Sequence, residues 1–240
     1  MEMALVVDII SHLLGNTLTD TADIQSFVND ENVQALVGVV KELLDDDYNH
    51  YNNTLLAIQS NELDKVKINI DSAKSLYYEG LDNPEITKQK LDSAHDKLRE
   101  SLLTLMRYVE RYVGQLRNCN DRFNRGSLFG QRNLNAEIDK NISLLTKSMK
   151  LFTYTVKLDY AVNSVLQYNV ERSFSNPCRD MVKFIEDEKI HRLVLSLCGD
   201  NDEVYDFWYH MDNNLRVYLD PPRRYKQIGM DENEQKTKSE

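Results

Sequence analysis

The sequence predicts an all-α protein, an elongated antiparallel helical bundle built around one long helical hairpin. Three observations carry that expectation. Leu91, Ala94, Leu98, Leu102, Leu105, Val109, Tyr112 and Leu116 recur at steps of three and four, and Ile138, Ile142, Leu145, Met149, Phe152 and Val156 do the same further on. Such spacing gathers each set on one face of an α-helix, and a stripe sustained this long needs an apolar partner, as in a coiled coil. Only eight glycines and four prolines punctuate the chain, too few turn residues for a sandwich or barrel of short strands.

The elements follow in order. An apolar run from Ala4 to Leu14 reads as a first buried helix stopped by Gly15, with a short turn expected around Ile24 to Val28. Asn32 can cap the next helix, on which Val33, Leu36, Val40, Leu44, Asp47, Tyr51 and Ile58 keep helical spacing; the acidic patch Asp45-Asp46-Asp47 makes it one piece or two. Ser60 or Asn61 caps a helix carrying Leu63, Val66, Ile70, Ala73 and Tyr77, because their side-chain oxygens accept the first free amides, and Gly80 is expected to end it.

Asp82-Asn83-Pro84 is a strong helix start, and the first arm of the hairpin runs from about 84 to 118. A loop from Cys119 to Asn133, with Gly126 and Gly130, leads into the second arm, about 134 to 170. Two long helices joined this closely lie antiparallel. Asn176-Pro177 opens a helix expected to continue through Leu197 to a stop at Gly199, and a last helix carries Val204, Phe207, Trp208, Met211, Leu215 and Tyr218. Pro221-Pro222 forbids continuation. Residues 1–220 therefore read as one helical domain, with a candidate sub-boundary near 171–176 and a disordered polar tail over 221–240.

Hydrophobic residues at 41% and charged residues at 28% fit a globular protein, not a disordered one. The charge is unevenly placed. Residues 1–64 carry twelve acids against the single base Lys41, whereas 101–157 carry ten bases against Glu110, Asp121, Glu137 and Asp139. Either the acidic third lies along the basic hairpin, or two faces of opposite sign meet different partners. Cys119, Cys178 and Cys198 form no close pair, so neither a disulfide framework nor a zinc signature is expected, and a cytoplasmic setting follows. The apolar start lacks a basic leader and is shorter than the roughly 20 residues a bilayer span needs, so no integral membrane segment is expected.

Chemistry-bearing patterns are few. The spacing acid-x-x-His occurs at Asp47/His50, Asp92/His95 and Glu188/His191, and such pairs on facing helices can build a di-metal site. These spacings arise easily in an acid-rich chain, so no metal or cofactor is assigned. Cys178 follows Pro177 at a helix start beside Arg179, where a thiolate would be favoured, although a packed structural thiol is the plainer reading. Neither a phosphate-binding glycine loop nor a G-x-S-x-G elbow is present, so no catalytic residue is assigned either. Among thirteen tyrosines, the pairs Tyr77/Tyr78, Tyr108/Tyr112 and Tyr205/Tyr209 suit core-boundary positions.

The hairpin tip stands out. Arg117, Arg122, Phe123, Arg125, Leu128, Phe129 and Arg132 mix guanidinium groups with apolar anchors at one end of the hairpin. The functional expectation is a non-enzymatic helical interaction or regulatory protein that binds a protein partner through this tip, with a homo-oligomer open as well. The acidic chain argues against nucleic acid. A metal-dependent helical-bundle enzyme and a membrane-active helical protein are the alternatives.

Overall fold

The computed structural model describes residues 31–55, 61–82, 87–125, 131–169, 176–198, 201–211 and 215. They form α1 (Glu31–Leu55), α2 (Asn61–Asp82), α3 (Thr87–Asn124), α4 (Gln131–Asn169), α5 (Asn176–Ile185), α6 (Glu188–Leu197) and α7 (Asp202–Tyr209), with no strand among the described residues. The expected helix over 4–14, the turn at 24–28, the sub-boundary linker before Asn176 and the tail over 221–240 lie outside the described residues.

The long hairpin is present. α3 and α4 contain 38 and 39 residues, about 57 Å of rod each at roughly 1.5 Å per residue. Among the described helices their mutual interface is the most extensive, followed by that of α2 with α3. The seam residues Leu91, Ala94, Leu98, Leu102, Leu105, Val109 and Leu116 are all fully buried, and Leu145, Met149 and Phe152 meet them from α4. Burying each large aliphatic side chain contributes about 1.5–3 kcal/mol, and dozens of such contacts offset the entropy of ordering two rods.

α4 departs from the one-sided stripe expected of it. From Leu145 to Asn163 every residue is buried except the half-buried Lys147, Lys150 and Lys157. The helix is enclosed because α3 lies along it, α1 packs on it through Val37, Val40 and Leu44, and α6 and α7 cover it further. Polar residues survive there by bonding to their own helix. Ser148, Thr153 and Thr155 donate to the carbonyls four residues back at 2.8, 2.9 and 2.8 Å, which satisfies each hydroxyl within its own helix.

α1 runs unbroken through the acidic patch, since Asp45 is engaged there. Lys74 of α2 reaches Asp45 at 2.8 Å, Lys41 reaches Asp82 at 2.8 Å, and the Tyr78 hydroxyl meets both the Lys41 carbonyl and Asp45 at 3.1 Å. Both lysines also lie over the Tyr78 ring, at 5.3 and 5.9 Å. Burial and then the Asp45 charge push the Tyr78 phenol well above its ordinary value. Gly80 does not stop α2, which continues to Asp82 because Leu81 is buried and keeps the last turn packed.

Two further boundaries differ from expectation. The helix expected from Asn176 through Leu197 is two helices, broken at Glu186-Asp187. Asp187 adopts a non-helical ψ of 111° and its carboxylate accepts from the Lys189 amide at 2.9 Å, so it caps a new helix and frees α6 to turn. Asn201 caps α7 in the same way, accepting from Val204 at 3.1 Å. α7 docks through Trp208, whose indole N–H donates to the buried Thr146 hydroxyl at 3.1 Å, and through Met211, against which Thr153 packs.

Candidate functional site

The hairpin tip is more helical than its glycines suggested. α3 continues six residues past Asn118, and α4 begins at Gln131, so much of the expected Cys119–Asn133 loop is helix. The seam explains this, because Tyr112, Leu116, Cys119 and Phe123 keep the same spacing. Cys119 is buried in consequence, and burial followed by the nearby Glu137 carboxylate pushes its thiol up. Phe123 occupies the next seam position but is 53% exposed, since the bundle does not enclose it.

Arg117, Arg122 and Arg125 are all exposed at the same end of α3. Arg122 differs from the other two in holding Glu137 of α4 at 2.8 Å, which ties the two rods together at their ends. Both partners are about half exposed, so the pair contributes little to stability, on the order of 0–1 kcal/mol. Leu128 and Phe129 lie outside the described residues, as does the side chain of Arg132. The described part of the tip is thus an uncovered aromatic ring and three exposed guanidinium groups on the last turns of α3. That arrangement can grip carboxylates by paired hydrogen bonds while the ring supplies an apolar anchor.

A second polar group sits inside the bundle and was not visible as a pair in the sequence. His95 of α3 turns toward Asp159 of α4, with Nδ1 3.0 Å from Oδ1, and their side chains are only 13% and 6% exposed. Burial raises the Asp159 carboxyl above its ordinary value; His95 most strongly, then Asn163 and Arg99, act to lower it. The signal for Asp159 lay in the periodicity. Carried forward from Phe152 and Val156, the seam lands on Asp159 and Asn163, and a charged residue at a core position requires a partner.

Cys178 lies in the first turn of α5, close enough to Asp159 to feel its charge. Burial, then Asp159, pushes its thiol up to about 12 against the opposing pull of Arg179. Any help from the helix end and Arg179 is outweighed, so the Cys–Asp–His grouping has the protonation of a packed core and not of an activated nucleophile. Cys198 is likewise buried, with its thiol pushed up to about 11.

The acid-x-x-His pairs do not converge. His95 serves Asp159, Glu188 pairs with Arg192 one turn on along its own helix, and the side chains of Asp47 and His50 lie outside the description. His191 lines a cavity of about 10 Å³ with Ile190, Val194, Trp208 and Met211, room for about one water molecule. Among the described residues no group of three or more His, Cys, Asp or Glu side chains could hold a metal ion. No described helix is long and apolar enough to cross a membrane. No protein-family model, curated protein or solved structure matches this chain.

Proposed function

We propose that this chain is a helical interaction protein whose basic-aromatic hairpin tip takes a protein partner. The observation that carries the reading is Phe123, an aromatic ring at a seam position, more than half exposed on the helix end that also carries the exposed Arg117, Arg122 and Arg125. Large rings with arginines around them are the residue types that dominate binding energy at protein interfaces. A partner presenting carboxylates matches the tip's charge. Three thiols without a disulfide suit a cytoplasmic setting.

The test replaces Arg117, Phe123 and Arg125 together by alanine and compares captured proteins with those of the unaltered chain. Arg122 stays, because its bond to Glu137 belongs to the fold. Loss of captured proteins with an unchanged helical circular dichroism spectrum is the expected result. An unchanged set of partners on an unchanged fold removes the tip from the argument.

A further inference from the structure

The tip has a counterpart of opposite charge elsewhere on the molecule. α7 turns Val204, Phe207 and Trp208 inward, and its outer face carries Asp202, Tyr205, Asp206 and Tyr209 as one continuous stripe at helical spacing. Tyr205 and Tyr209 are 41% and 54% exposed, with ring centroids 6.1 Å apart and planes 13° from parallel. The core-boundary role expected of tyrosines holds for Tyr78, Tyr108 and Tyr112, whereas Tyr77 is wholly interior and this pair is exposed. Between Arg192 and Arg216 the sequence contains five acids, Asp200, Asp202, Glu203, Asp206 and Asp212, and no lysine or arginine.

A stacked tyrosine pair edged by carboxylates is a surface for guanidinium groups, which lie flat on rings and bond to carboxylates in their own plane. The arginines of the tip are such groups, and they belong to the same chain. Within one molecule Arg122 is engaged with Glu137 instead, and among the described residues none of the three forms an ion pair or ring contact with α7. α7 is fixed at Thr146 and Lys150 of α4, through the Trp208 bond and a Lys150 ammonium 5.5 Å from the Phe207 ring centre. Those positions are nine and thirteen residues beyond Glu137, the tip's own anchor on α4, or about 13–20 Å along the rod.

We infer that a second copy of this chain is a partner of the tip: Arg117 and Arg125 of one molecule seat on the Asp202–Tyr205–Asp206–Tyr209 face of the next. The inference rests on reading the tip as a contact surface. Because the two patches differ, the contact is head-to-side and each bound copy still offers one patch of each kind, which yields chains or a closed ring instead of a two-fold dimer. Both patches are small, so the contact is weak and exchanges quickly. The chain's formal charge of −10 opposes any self-association, but at physiological salt the screening length is about 8 Å, which mutes that repulsion while leaving touching pairs intact.

Sedimentation at rising concentration, up to about 0.2 mM, tests this in buffer of physiological ionic strength. The average mass of the unaltered chain is expected to climb above 28.0 kDa. Arg117→Glu with Arg125→Glu, and separately Asp202→Arg with Asp206→Arg, should each stay at the monomer mass, while an equal mixture of the two charge-reversed proteins regains association. That recovery cannot come from misfolding. An unaltered chain that remains at 28.0 kDa throughout, or a mixture that does not recover, overturns the inference. In that event the wider reading of the tip still stands if the tip variant loses other captured proteins, and falls if it does not.

Discussion

Removing either half of the His95–Asp159 pair should have unequal consequences, and the difference measures what the pair does in the core. His95→Ala leaves a carboxylate that is 6% exposed without the ring 3.0 Å away, and stranding a buried charge in this way costs roughly 3–5 kcal/mol. Asp159→Asn instead removes the charge that burial opposes and keeps a side chain of the same shape able to bond the ring, so it should fall within about 1 kcal/mol of the unaltered protein. The pH dependence separates them further. Asp159 holds its proton more tightly folded than unfolded, so its contribution to stability is full below the ordinary carboxylate value of 3.8 and is lost as pH rises through the raised one. Asp159→Asn abolishes that slope. Trp208 is the sole tryptophan and is 4% exposed, so its emission reports unfolding directly. Urea titrations followed by that emission and by helical circular dichroism, at several pH values between acid and neutral, read both quantities; coincident curves license the two-state treatment. If the asparagine variant loses as much as the alanine variant, or its pH slope matches the unaltered protein, the pair is not the buried charge described here.

Two other outcomes follow from the same coordinates. Gly114 lies within α3, and a methyl group built on it would meet nothing within 4 Å, so Gly114→Ala should stabilise the protein by about 0.5–1 kcal/mol in the same urea titration; a destabilised variant would mean that the site is closed to a side chain. Cys178, with its thiol pushed up to about 12, should react with iodoacetamide at neutral pH only as the protein unfolds, which mass spectrometry of the labelled peptide at increasing urea would follow. Rapid labelling of the native protein would refute its assignment as a packed thiol.

The hairpin was legible because its signal is redundant: each arm repeats its apolar residues over many turns, and no single position decides the matter. Boundaries rest on single residues and were less secure. Gly80 reads as a stop, yet the packing of Leu81 overrides its local preference. Glycines at 126 and 130 drew the loop too early, although Cys119 and Phe123 continued the stripe. The break at Asp187 rests on one cap, together with a step of five from Ile185 to Ile190 that a pattern of threes and fours does not span. At the tip, sequence located the arginines and Phe123 on one helix end, but only tertiary structure tells that Phe123 is uncovered and that Arg122 is engaged with Glu137. The α7 face escaped for the same reason. Whether Tyr205 and Tyr209 point inward or outward depends on which neighbouring residues dock, and Trp208 and Met211 took the inward side.

The enclosure of α4 bears on how this sequence can drift over generations. A helix with a wet side accepts many replacements there, whereas the stretch from Leu145 to Asn163 leaves only three lysines touching water. Any change elsewhere in it must be matched by a neighbour on another helix. Distant kin of this protein should therefore be easiest to recognise by that one segment, long after the outward sides of the other rods have lost their likeness.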